Sequence, residues 1–248
     1  SRGHRVIQRW IVRVTVPAAP ALSVAVVVAA KVLTTSALAW VPKLDEKTAK
    51  TVIDGAYDRI ASPKPTLLAL DLSVKDGKFA TDSAVKAFEG GDTCVSDWLA
   101  SPTDFAKYGS RPQSVTLTGQ ADEVFLAAQS ARDEFKNLSA KEALAKEGRL
   151  PDGNLRVYVS MAGLPSEKAR DAYNVALRGA DGKPVQPYRK GFTNDWKQVS
   201  GTWGGTMVYY FDAAGAGVKP DGQLTLLMRT EADSDCAYTV TADLSKFN

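Results

Sequence analysis

The chain has 248 residues, 44% of them apolar and 24% charged, with a formal net charge of +3. That length and apolar content allow a buried core and exclude disorder over the whole chain. The charge is uneven: residues 1–39 hold Arg2, Arg5, Arg9, Arg13 and Lys31 and no acid, leaving 26 basic against 28 acidic residues in the rest, so the domain has no electrostatic reason to bind nucleic acid.

The chain opens with three segments that together read as an export leader. Ser1 to Arg13 is basic, Val14 to Ala30 is apolar, and Ala37-Leu38-Ala39 has the small-x-small form that a leader peptidase reads. Cleavage after Ala39 would leave Trp40 first. The competing reading is a retained membrane anchor, since Val14 to Ala39 spans 26 residues and Lys31 could snorkel at one end. Both put the arginine end in the cytoplasm and the domain outside it. Pro17, Pro20 and Lys31 weaken an anchor helix and favour cleavage. The expected division is therefore 1–39 as signal peptide or anchor and 40–248 as one exported domain. Any membrane association would run only through residues 14–39, if the leader is retained.

Leu44, Val52, Ile53, Ala56, Tyr57 and Ile60 fall at helical spacing, and Ser62-Pro63-Lys64-Pro65 stops that helix. Leu68, Leu70, Leu72 and Val74 then alternate with polar residues as a strand does, up to the Asp76-Gly77 turn signal. From about 80 to 148 the pattern predicts a mostly helical insertion. It includes a helical face from Ala121 through Val124, Ala128 and Ala131, and a capping box at Ser139-Ala-Lys-Glu142. A brief strand at Val115–Leu117 is the exception. Beyond it, alternation at Leu155–Met161, Tyr173–Leu177, Thr206–Phe211, Leu224–Met228 and Tyr238–Leu244 predicts strands. Pro151-Asp-Gly153, Asp181-Gly182 and Pro220-Asp-Gly222 supply turns between them. The expected fold is mainly β: one antiparallel β-sandwich of immunoglobulin-like architecture carrying the helical insertion.

Cys94 and Cys236 are the only cysteines. In an exported chain they are expected to pair as a disulfide. Asp92, Asp97, Glu231, Asp233 and Asp235 flank them. Such acids could serve calcium, but their spacing matches no calcium loop and solvated turns are the simpler reading.

The only histidine is His4, inside the leader. A domain without histidine excludes Ser-His-Asp and Cys-His catalysis and any histidine-ligated metal. No phosphate-binding loop and no nucleophile elbow is present. No catalytic residue, metal site or cofactor is therefore expected. The stretch from Gln186 to Gly205 reads as a long loop that sets Tyr188, Phe192, Trp196 and Trp203 beside Arg189, Lys190 and Lys197. Aromatic rings with cations are what a protein or glycan partner uses, so Tyr188, Arg189, Phe192, Trp196 and Trp203 form the expected binding set. The competing reading has Phe192, Trp196 and Trp203 plugging the sandwich. The sequence thus leads to the expectation of a non-catalytic exported module, periplasmic, envelope-bound or extracellular. It would bind a cell-surface protein or glycan, or form part of an envelope assembly. The alternative is a secreted protein that binds glycans or acts on them through two carboxylates.

Overall fold

The computed structural model describes residues 39–82, 84–89, 91–232 and 235–248. The signal or anchor segment expected over residues 1–39 lies outside the described residues, except for Ala39. In chain order the elements are α1 (Glu46–Ala56), β1 (Leu67–Asp71), β2 (Val74–Lys75), β3 (Lys78–Phe79), β4 (Val85–Glu89), α2 (Asp92–Ala100), α3 (Phe105–Tyr108), β5 (Arg111–Thr118), α4 (Gln120–Asp133) and α5 (Ala140–Ala145). The remainder is β6 (Asn154–Leu164), β7 (Asn174–Arg178), β8 (Pro184–Val185), β9 (Arg189–Phe192), β10 (Lys197–Val199), β11 (Thr202–Asp212), β12 (Gln223–Arg229) and β13 (Ala237–Asp243). Short 3-10 turns lie at Glu167–Ala172 and Leu244–Lys246.

The protein is mainly antiparallel β. One sheet runs β1-β5-β6-β11-β10, with β9 also paired to β11, and the other runs β4-β13-β12-β7-β8. Alternation places Leu155, Val157, Val159 and Met161 of β6 and Met207, Tyr209 and Phe211 of β11 on one face, all buried. Val175, Leu177, Leu224, Leu226, Met228, Tyr238 and Val240 do the same for the second sheet. These residues belong to one continuous cluster. Each such side chain contributes about 1.5–3 kcal/mol on burial.

The insertion expected over about 80–148 is corrected. That stretch contains α2 to α5, but it also gives one strand to each sheet: β4 pairs with β13, and β5 lies between β1 and β6. The eight-residue β5 was visible in sequence only at Val115–Leu117, because just Val115 and Leu117 carry its apolar face to the core. Its start holds Pro112, beside an irregularity in register with β6, a place where proline is tolerated in a sheet. The strand expected through Val74 also ends early. The Asp71 carboxylate accepts from Ser73 N at 2.9 Å and turns the chain, and β2 and β3 form a separate hairpin across Asp76 and Gly77.

Three helices make a second, smaller cluster. Asp45 caps α1 by accepting from Thr48 N at 2.7 Å, and Ser139 and Glu142 form the expected capping box on α5. Val52 and Ile53 of α1 pack with Val124 and Ala128 of α4 and Ala143 of α5. Gln120, only 1% exposed, ties the start of α4 to the segment before α1 and to the loop that leads into β6. Its side chain accepts from Leu44 N at 2.9 Å and donates to Leu150 O at 2.8 Å. Among the described residues no helix is long and apolar enough to cross a membrane.

Cys94 on α2 and Cys236 before β13 form a disulfide, with Cα atoms 6.1 Å apart and a sequence separation of 142. Next to it Trp98 meets Phe79 and Tyr238 edge to face, at 5.0 and 5.1 Å between ring centroids. Arg111, 2% exposed, lies 5.4 Å from the rings of Trp98 and Tyr108 and donates to the Tyr238 hydroxyl at 2.9 Å. Among the described residues no group of three or more acid, cysteine or histidine side chains is placed to hold a metal ion. Of the acids flanking the cysteines, Glu231 is bound to Ser110 through both carboxylate oxygens.

Candidate binding surface

The stretch from Gln186 to Gly205 is not a free loop. Arg189–Phe192 and Lys197–Val199 both pair with β11 and form an edge of the first sheet. Ser200 and Gly201 join β10 to β11 with φ of 49° and 83°, the two positive values that a tight hairpin turn requires. The sequence concealed these strands because they are short and mix charges with rings instead of alternating.

Asp195 holds the crossover between β9 and β10. Its carboxylate accepts from Thr206 N at 3.0 Å, from Thr206 Oγ1 at 2.6 Å and from Thr193 Oγ1 at 2.5 Å. Burial works to raise this carboxyl, and the hydrogen bonds from Thr193 and Thr206 outweigh it, holding it below the usual carboxylate range.

Pairing separates the expected binding residues into two groups. Arg189 lies opposite Tyr210, whereas Phe192 lies opposite the buried Met207; directly paired residues share a face, and Met207 and Tyr210 are three apart, so the two faces differ. On one face the Tyr188 ring, 55% exposed, lies 6.2 Å from that of Tyr210. The guanidinium groups of Arg189 and Arg156 stand 4.8 and 5.6 Å from the same Tyr210 ring. Arg156 is held in turn by an ion pair with Glu123. On the other face Phe192 is 59% exposed. Arg170, from the 3-10 turn after β6, stands 3.8 Å from the Phe192 ring centre and 4.7 Å from that of Trp196. Arg170 also pairs with Glu167 at 2.6 Å.

Trp196 and Trp203 are half-buried and pack against the main core. The Trp196 indole covers Gly205, where a Cβ would fall inside the ring's van der Waals surface, and its Nε1 donates to Thr206 O at 3.3 Å. Trp203 lines a groove of about 320 Å³ with Gln113, Ser160, Asp195, Lys197 and Thr202. A second hollow of about 450 Å³, lined by Asp104 and Phe105 among others, shares Ala162, Val199 and Thr202 with it. The ring, amide, hydroxyl and charged groups of this groove can hydrogen-bond and stack on a polar ligand.

Sequence reasoning missed Arg156, Arg170 and Tyr210. Arg170 sits in Glu-Lys-Ala-Arg-Asp-Ala, which reads as a solvated turn, and nothing local to it signals two aromatic rings, one on β9 22 residues later and one in the crossover that follows β9. Tyr210 falls within the expected strand, but its outward direction depends on which residues β11 buries. Comparison of the chain with family models, curated proteins and solved structures finds no match.

Proposed function

We propose that this is an exported, non-catalytic module of the cell envelope, whose two sheets form an immunoglobulin-like sandwich and whose β9–β10 edge binds a cell-surface protein or takes part in an envelope assembly. The shared core of the two sheets supports the sandwich. The Cys94–Cys236 bridge fits an oxidising compartment. The observation that carries the binding reading is the exposure of Tyr188 and Phe192, 55% and 59%, on the two faces of an edge segment pinned to the sheet, which a partner would straddle. Rings held in place by strand pairing and by arginines lose little freedom when a partner covers them. The test is crosslinking of the full-length protein in its native envelope, comparing the wild type with Tyr188→Ala/Phe192→Ala. Loss of a specific crosslinked species, at a nearly unchanged melting temperature, is the expected result. The same species at the same yield would overturn the proposal.

The groove beside Trp203 favours a second reading, a glycan ligand. A sugar face would stack on the ring while Gln113, Ser160, Asp195 and Lys197 meet its hydroxyls. Titration with envelope polysaccharide fragments should then change tryptophan fluorescence in the wild type and lose affinity in Gln113→Ala.

A further inference from the structure

We infer that the fold is built to hold Trp40 as the first residue of the processed protein, its α-ammonium seated between two main-chain carbonyls; this rests on the export reading and adds the structural seat of the new terminus. The main-chain nitrogen of Trp40 lies 3.1 Å from Pro220 O and 2.9 Å from Leu244 O, within hydrogen-bond range of both. A peptide nitrogen has one proton to share between two acceptors. An α-ammonium has three, so each carbonyl receives its own, in bonds strengthened by the charge. The two acceptors are themselves fixed, because Leu244 N donates to Gly222 O at 2.9 Å and so ties the end of β13 to the turn that carries Pro220.

The surroundings suit a charged terminus. Ala39 and Val41 are half-buried and Pro220 is exposed, so removal of Ala39 opens the nitrogen's third position, and the third proton takes the place of the lost acyl group. The side chain is anchored on the other side. The Trp40 indole is 1% exposed, belongs to the main core and lies over Gly119, where a Cβ would come within 2.9 Å of its Nε1. Chain ends fray unless tied down, and here the first side chain and the first nitrogen are both tied. The bond before Trp40 is also the one that the Ala37-Leu38-Ala39 pattern marks for a peptidase reading small residues. In the cleavage, water adds across the Ala39–Trp40 amide. Its oxygen ends on the Ala39 carboxylate of the released leader, and its two protons end on the Trp40 nitrogen, which with the proton already there makes the α-ammonium.

The experiment expresses the full chain, leader included, in a host with a secretory pathway. Protein recovered outside the cytoplasm is then read by N-terminal sequencing and intact mass. A single start at Trp40 is expected, and Ala39→Leu should lose that start because a branched side chain does not fit a pocket for small residues. Exported protein that begins elsewhere, or keeps its leader, overturns this inference and leaves the export reading standing. Protein retained in the cytoplasm with residues 1–39 attached overturns both. Selective acetylation of the α-amine should lower the melting temperature of the exported protein, and an unchanged temperature overturns the carbonyl seat.

Discussion

The guanidinium of Arg170 stands 3.8 Å from the centre of the Phe192 ring, although Phe192 is more than half exposed. A cation above a ring face at this distance contributes about 0.5–2 kcal/mol, more as it is desolvated, and the Arg170 side chain is only 13% exposed. Arg170→Ala should cost about 1–2 kcal/mol in denaturant unfolding and should weaken partner binding, because Phe192 and Trp196 lose a common support. Phe192→Ala should change stability by less than about 1 kcal/mol while still weakening binding. If Phe192→Ala costs as much as a core truncation, the ring is structural.

Gly205→Ala tests the packing of the β9–β10 crossover. The added methyl meets the Trp196 ring and cannot be absorbed by a flexible chain end. The expected loss is about 1–3 kcal/mol, the usual range for overpacking, together with a shift in tryptophan emission as the indole is displaced.

The disulfide makes a larger contribution. For a closed loop of this length the chain-entropy model gives about 5 kcal/mol, since the bridge spans 142 residues. The Cys94→Ala/Cys236→Ala protein should therefore melt well below the wild type. Intact mass of the unreduced wild type should be two hydrogens short of the reduced form, and labelling of free thiols in the unfolded, unreduced protein should fail.

Asp122 should oppose stability at neutral pH. It is 8% exposed and accepts from Thr66 Oγ1 at 2.8 Å. Burial raises its carboxyl above the ordinary value, against the Thr66 bond and the Arg156 charge, with Glu123 adding to the rise. The folded state thus holds the proton more tightly than the unfolded chain does. The stability this gives is full below the unfolded value and is lost as pH rises through the folded one. Asp122→Asn keeps an acceptor for Thr66 and removes the charge. It should raise the melting temperature at neutral pH, with the gain shrinking as pH falls through the raised folded value and gone below the ordinary carboxyl value. A lower melting temperature at neutral pH would mean that the Arg156 attraction outweighs burial.

What the sequence by itself determined is what nearest neighbours decide. The capping box at Ser139 and Glu142, the Asp76-Gly77 turn and the alternation of β6, β12 and β13 each depend on residues within a few positions, and each stands in the structure at or near the expected place. The cysteine pair was legible because two residues allow one intramolecular pairing. The tertiary structure alone decided that Val85–Glu89 is a sheet strand and that the brief strand expected at Val115–Leu117 extends over Arg111–Thr118, since their backbone partners in β13, β1 and β6 are remote in sequence and their own patterns are weak. It alone decided the shape of the candidate surface as well. Tyr188, Arg189, Phe192, Trp196 and Trp203 were legible as a cluster of rings and cations, but their pairing with β11 splits them between two faces. The partners of their rings, Arg170 and Tyr210, arrive through a remote turn and a paired strand, which no local signal encodes.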